Sequence, residues 1–138
     1  MDITQIIYGI FGIILGASAQ YFFGLASERR KKFFEKKMQI YSDFIENVSE
    51  AAVSGKNNKN ISDANLKKIT QSKAFISIIG NKDVIRCINI FFDKHGIINS
   101  PASLDCFTDI IYAMRTDILK DNSIKKEEIK EILFGNKR

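Results

Sequence analysis

The chain has 138 residues, a net charge of +5 at pH 7 and 45% hydrophobic residues. One histidine and two widely spaced cysteines exclude a usual zinc site, so we predict no metal and no cofactor. The sequence has no phosphate-binding P-loop, no dinucleotide fingerprint and no G-x-S-x-G elbow, so we predict no catalytic residues and no enzyme activity.

The chain opens with an uncharged, mostly apolar run from Ile3 to Leu25, in which eleven residues are Ile, Leu or Phe. About 20 apolar residues of helix cross a bilayer core, so the run predicts a transmembrane helix over residues 1–27. The start, Met1-Asp2, lacks the basic side chain of a cleaved signal peptide. Basic residues follow the run, as on cytoplasmic flanks, which predicts a single-pass inner (cell) membrane protein with its short N-terminus outside and its C-terminal domain cytoplasmic. A buried core helix of a soluble protein is the alternative.

One side of this run carries small and amide residues at helical spacing. They are Gln5, Gly9, Gly12, Gly16, Ala19 and Gln20. Small residues let helices approach closely in lipid, and a neighbouring helix satisfies an amide there. We expect this face to pack in a homo-oligomer or to line a pore. The alternative is that glycine is simply common in membrane helices and that the amides reach towards water.

A juxtamembrane basic amphipathic helix is predicted over residues 28–53. Its cations are Arg29, Arg30, Lys31, Lys32, Lys36 and Lys37. We expect them to contact the headgroups of anionic membrane lipids. Nucleic acid is the less favoured partner, because no recognition helix, zinc finger or RNA-binding signature is present. Apolar residues at three- and four-residue steps from Phe34 to Ala52 predict one long helix that continues the first run.

Residues 54–138 are predicted to form a cytosolic helical bundle, after a polar loop over residues 54–60. The predicted helix starts are Ser62 or Asp63, Asn81 or Asp83, Ser100 before Pro101, and Asn122 or Ser123. The predicted stops are Gly80, Gly96 and Gly135. The second helix is predicted to carry Leu66, Ile69, Ile76 and Ile79, and the fifth to face inward with Ile129, Ile132 and Leu133. The fold class is therefore all-α, with one N-terminal transmembrane helix continuing into a bundle of about five helices.

The fourth helix carries the pattern Met-Arg-x-Asp, in which we expect Arg115 and Asp117 to tie the helix end to a neighbour in a buried or interface pairing. The alternative is a surface ion pair worth at most about 1 kcal/mol. The single histidine, His95, stands at a predicted helix end and is expected to cap that end or to lie at an interface.

The layout resembles small bacterial membrane accessory proteins, with one span, a basic stretch, the segment Lys37–Tyr41 and the late segment Met114–Asp117. It is similar in architecture to the accessory proteins of type VI-B CRISPR systems. That resemblance implies single-span protomers that assemble into a ring-shaped pore in antiviral defence. The nuclease-like Arg/His spacing of that group is absent, since Arg86 precedes His95 by nine positions.

Two functions follow as expectations. The first is a single-pass membrane protein that forms a homo-oligomer and acts as a pore or membrane-perturbing effector in bacterial antiviral defence. The second is a membrane-tethered helical adaptor that recruits a cytosolic protein partner.

Overall fold

Five α-helices and no β-strand make up the part of the chain that the structure, a computed structural model, describes. It describes residues 3–57 and 59–135, and among the first 15 residues the only described side chain is that of Ile13. The helices are α1 (Ile3–Lys56), α2 (Asp63–Ile79), α3 (Lys82–Lys94), α4 (Pro101–Leu119) and α5 (Lys126–Phe134). The predicted all-α class is confirmed.

The chain divides into two compact units, which we name the leading segment (Met1–Lys36) and the folded unit (Lys37–Arg138). The helix α1 is continuous through the division, which confirms that the first run and the amphipathic helix form one element. The predicted domain boundaries after residues 27 and 53 remain a prediction.

No helix in the described part of the chain is both long and apolar enough to cross a membrane. The finding contradicts the predicted localisation, a single span of the inner membrane with a cytoplasmic C-terminal domain. It also leaves the predicted transmembrane helix unsupported.

The hydrophobic core lies within the folded unit and draws on the last third of α1. One face of α1 buries Ile40, Tyr41, Phe44, Val48 and Ala51. The other helices bury Ile69, Ile76, Val84, Ile88, Phe91, Phe107, Ile110, Ala113, Met114 and Ile129. The three- and four-residue spacing of these positions places them on one side of each helix, and their burial is the main source of stability.

Local side-chain caps fix the starts of three helices, α2, α3 and α4. The hydroxyl of Ser62 accepts a hydrogen bond of 3.1 Å from the backbone N–H of Asn65, and Asn81 caps α3 in the same way. Ser100 and Ser103 cap each other at the start of α4, where Pro101 occupies the first turn. Each cap satisfies backbone N–H groups that lack a partner within the helix. The predicted starts of α2, α3 and α4 are therefore confirmed.

The predictions for α5 were partly wrong. The helix begins at Lys126 rather than near Asn122 or Ser123. Ile129 is buried, but Ile132 is 80% exposed and Leu133 is 40% exposed, so neither lies inward as predicted. Ion pairs from Lys126 to Asp109 and from Lys130 to Asp105 join this helix to α4 on the side that also carries Ile129.

Two smaller differences concern α1 and α2. The helix α1 continues to Lys56, so the polar connection is shorter than the predicted loop over residues 54–60. Leu66, predicted among the apolar positions of α2, is 47% exposed.

Candidate functional site

Five outward-facing cations lie close together on the leading segment. They are Arg29, Arg30, Lys31, Lys32 and Lys36, and all are exposed. Phe33 and Phe34 lie among them and are 56% and 43% exposed. Arg, Lys and Glu have high helix propensity, so the segment stays helical without a packed face. We name residues 28–36 the basic stretch, and it combines positive charge with exposed aromatic surface.

The next cation, Lys37, belongs to the folded unit and is turned inward. Its side chain is 12% exposed, and its Nζ lies 2.5 Å from Oδ2 of Asp117, whose side chain is 2% exposed. The Tyr41 hydroxyl donates a hydrogen bond of 2.6 Å to the same oxygen. The Nζ of Lys120 lies 3.2 Å from the other oxygen. We name these four residues the Asp117 cluster, and it joins α1 to the C-terminal end of α4.

The environment of this cluster fixes the protonation of its two acidic groups. Burial alone would raise the pKa of Asp117, but hydrogen bonds from Lys37, Tyr41 and Lys120 outweigh it and hold the pKa below the ordinary value of 3.8. Burial, and then the hydrogen bond to Asp117, raise the pKa of Tyr41 well above its ordinary value of 10.0. At neutral pH the carboxyl group of Asp117 is therefore charged and the phenol of Tyr41 is neutral. The phenol can then donate the hydrogen bond and the carboxylate can accept it.

The two residues predicted to pair at an interface have different partners. Asp117 lies in the cluster just described, whereas Arg115 donates a hydrogen bond of 3.0 Å from Nη2 to Oδ2 of Asp121. The Nε atom of Arg115 is buried and has no hydrogen-bond partner among the described residues. Asp117 therefore ties α4 to α1 within the chain, and its role at an interface with another protein remains a prediction.

The predicted small-residue face falls partly outside the described residues. Gln5, Gly9 and Gly12 lie in the helix α1, but their side chains are outside the described part. Gly16, Ala19 and Gln20 are described and exposed. A Cβ atom added at Gly16 would meet no atom within 4 Å, so no described residue covers this position.

A cavity of about 390 Å³ lies among α3, α4 and the start of α5. Its lining includes Asp83, Arg86, Cys87, Asp109 and Lys126, together with Tyr112. Arg86 pairs with Asp83, and Lys126 pairs with Asp109, so the four charges of this lining already have partners. Burial raises the pKa of the Cys87 thiol, which keeps it protonated and a weak nucleophile.

The single histidine and the possible metal ligands were the remaining candidate groups. His95 is the C-cap of α3, where its backbone N–H donates to the carbonyl of Phe91, as the expected capping role requires. Within the described residues, no group of three or more His, Cys, Asp or Glu side chains could hold a metal ion.

The sequence analysis missed the Asp117 cluster as a unit. Lys37 and Tyr41 are four positions apart, and Asp117 shares a helix face with Ile110 and Met114, both of which are buried. A charged carboxylate on a buried helix face needs a compensating cation or hydrogen bonds, so the position of Asp117 alone could have predicted a buried ion pair. The pairing with α1 spans 76 residues of sequence and had no local signal.

Comparison with protein families, curated proteins and solved structures finds no match to this chain. The resemblance to type VI-B accessory proteins therefore remains a prediction from layout.

Proposed function

We propose that this chain is a helical adaptor that binds an acidic protein partner through the basic stretch of α1. The observation that carries the proposal is the outward exposure of Arg29, Arg30, Lys31, Lys32 and Lys36 beside exposed Phe33 and Phe34. The pore function expected from the sequence depends on a transmembrane helix, and no helix in the described part of the chain is long and apolar enough to be one.

Charge is concentrated in this stretch. Residues 28–36 hold five Lys and Arg against Glu28 and Glu35, a net charge of +3, whereas the whole chain of 138 residues carries +5. More than half of the net charge thus lies on nine residues. A concentration of this kind attracts a partner of opposite charge and speeds its association.

The cations form an ordered row on the helix. Arg29, Lys32 and Lys36 stand at positions i, i+3 and i+7, so they share one side and span about 10 Å along the axis. An acidic helix or extended segment can place carboxylates along that row. Phe33 and Phe34 offer apolar contact area beside it, which favours a partner with both acidic and apolar side chains.

Nucleic acid fits this surface less well. Proteins that bind a duplex commonly neutralise about 6–10 phosphates. The basic stretch presents only three cations on one side, and its cluster of charge is nine residues long. A short acidic segment of protein matches that extent better than a duplex does.

Charge reversal on the row tests the proposal. The probe is a fluorescein-labelled peptide rich in Glu and Leu, titrated against the full chain by fluorescence anisotropy. Replacing Arg29, Lys32 and Lys36 with Glu removes three charge pairs with carboxylates of the peptide and adds repulsion between like charges. We therefore expect the Kd for the peptide to rise about tenfold or more.

The matched control replaces Lys67, Lys68 and Lys82 with Glu. All three are exposed, and the net charge changes by the same amount. We expect the Kd of the control variant to stay within about twofold of the Kd of the unmodified chain, because salt screens charges that lie away from the binding surface. An equal loss in both variants would refute the proposal. So would tighter binding of an oligonucleotide of equal net charge, or binding to vesicles of anionic lipid with no binding to the peptide.

A further inference from the structure

The cavity of about 390 Å³ in the folded unit is walled by three helices and contains charges of both signs. The helix α3 contributes Asp83 and Arg86, α4 contributes Asp109 and Tyr112, and α5 contributes Lys126. Cavities that bind small molecules in proteins measure about 300–1,000 Å³, so this cavity lies at the small end of that range. It suits a molecule about the size of one amino acid.

The four charges of the lining lie around one group on the cavity wall, the thiol of Cys87. Burial has the largest effect on the pKa of this thiol and raises it, and Asp109 and Asp83 raise it further. Arg86 and Lys126 lower the same pKa, so all four groups lie close enough to act on the thiol. Two carboxylates and two cations thus meet in one place, and their charges cancel.

The ion pairs within the lining leave much of their hydrogen-bonding capacity unused. The pair between Arg86 and Asp83 has one contact of 3.1 Å, from Nη2 to Oδ1, and both side chains are 64% exposed. A guanidinium has five N–H donors and can bind a carboxylate with two of them. Lys126 and Asp109 are 47% and 37% exposed, so their pair is also open to solvent. Exposed pairs contribute little stability, so a charged ligand can compete with them.

The geometry points to a small zwitterion of the α-amino acid class as the ligand of this cavity. Its carboxylate matches the cations of Arg86 and Lys126, and its ammonium group matches the carboxylates of Asp83 and Asp109. A dianion would also meet the two carboxylates, and a diamine would also meet the two cations. The Tyr112 ring offers apolar contact area to the side chain of the amino acid. The inference is independent of the adaptor proposal, because none of these residues belongs to the basic stretch.

A buried hydroxyl in the lining lacks a hydrogen-bond partner. The hydroxyls of Thr70 and Thr108, which also lie within helices, donate to the backbone carbonyl four residues earlier, at 3.0 Å and 2.9 Å. Thr116 lines the cavity, but its Oγ1 atom is buried with no partner among the described residues. A buried hydroxyl without a partner costs free energy, and a polar atom of the ligand can supply the missing hydrogen bond.

NMR titration of the ¹⁵N-labelled full chain tests the inference. The probes are leucine, phenylalanine and glutamine at millimolar concentration. We expect at least one of them to cause saturable shifts at backbone amides of the lining residues on α3, α4 and α5. For leucine or phenylalanine, the N-acetyl derivative lacks the positive charge and the amide derivative lacks the negative charge. We expect each derivative to bind about tenfold more weakly than its parent, because it loses charge-assisted hydrogen bonds.

A matched pair of variants locates the site. Arg86→Gln should raise the Kd of the amino acid about tenfold, whereas Lys94→Gln should leave it within about twofold. Both residues are exposed on α3 and both changes remove one positive charge, but Lys94 does not line the cavity. Because both side chains are exposed, we expect both variants to fold, and their circular dichroism spectra check this.

Four outcomes would overturn the inference. The first is the absence of saturable shifts with all three amino acids. The second is a set of shifts confined to residues outside the lining. The third is equal binding of either derivative and its parent, which indicates a site for a simple anion or a simple cation. The fourth is an equal Kd for Arg86→Gln and Lys94→Gln.

Discussion

Replacement of Asp117 with Asn should destabilise the folded unit more than any comparable change of a surface carboxylate. The substitution keeps the size of the side chain but removes its charge. Lys37, only 12% exposed, then loses its counter-ion, and the Tyr41 hydroxyl loses a charged acceptor. Removal of one member of a buried ion pair costs about 3–5 kcal/mol. Because Lys120 is 75% exposed, its pair with Asp117 adds little, so we expect a loss of about 3 kcal/mol in the free energy of unfolding.

Urea unfolding followed by circular dichroism measures this loss in the full chain. The matched control is Asp121→Asn, the same chemical change on a side chain that is 41% exposed and paired with Arg115, and it should shift the midpoint far less. The double variant Lys37→Met with Asp117→Asn removes both charges, and we expect it to be more stable than Asp117→Asn alone, with a coupling of about 1–3 kcal/mol. Equal effects of Asp117→Asn and Asp121→Asn, or purely additive effects in the double variant, would refute the reasoning.

The same cluster predicts a dependence on pH. The pKa of Asp117 in the folded chain lies below the ordinary 3.8, so on acidification the unfolded chain takes up this proton first. The stability that Asp117 contributes is therefore present above about pH 4 and is lost as the pH falls through the folded pKa. The stability of the Asp117→Asn variant should fall less steeply between neutral and acidic pH, and an unchanged slope would contradict the assigned role.

Two further predictions concern helix ends and α5. Ser100→Ala removes the cap of α4 and should cost about 1 kcal/mol in urea unfolding, whereas Ser77→Ala, at an exposed position in the last turn of α2, should be nearly neutral; equal costs would exclude a capping role. Ile129→Ala should cost about 2 kcal/mol or more because it leaves a cavity, and Ile132→Ala, on a side chain 80% exposed, should change stability by less than about 0.5 kcal/mol. A larger loss of stability for Ile132→Ala than for Ile129→Ala would mean that α5 packs through its other face.

Features set by neighbours in sequence were predictable, and those set by distant contacts were not. The caps at Ser62, Asn81 and Ser100 act within three residues, so the residue types alone indicated them. At α5, the residues that looked like caps form a turn instead, because Asp121 accepts hydrogen bonds from both the backbone and the hydroxyl of Ser123. Side chains of this kind stabilise turns as readily as helix starts, and only the surrounding fold decides between them.

The inward side of α5 shows a second limit. Ile129, Ile132 and Leu133 share one apolar side by periodicity, which is why all three were predicted to face inward. In the structure, Lys126 and Lys130 form ion pairs with α4 and Ile129 is buried, whereas Ile132 is exposed. In the candidate site, the sequence predicted the cluster of cations in the basic stretch. It could not predict that the side chain of Lys37 is buried against Asp117 while the five cations before it are exposed.

The way α5 is attached has a consequence for how the protein opens. The helix has nine residues, one buried apolar side chain and two partly exposed ion pairs, while each of α1, α3 and α4 buries three or more apolar residues. Fluctuations that detach only these roughly two and a half turns of helix require far less free energy than global unfolding. We therefore expect α5 to detach more readily than the other helices of the folded unit, and high ionic strength, which weakens its two ion pairs, to make this local opening more frequent without loosening the rest of the core.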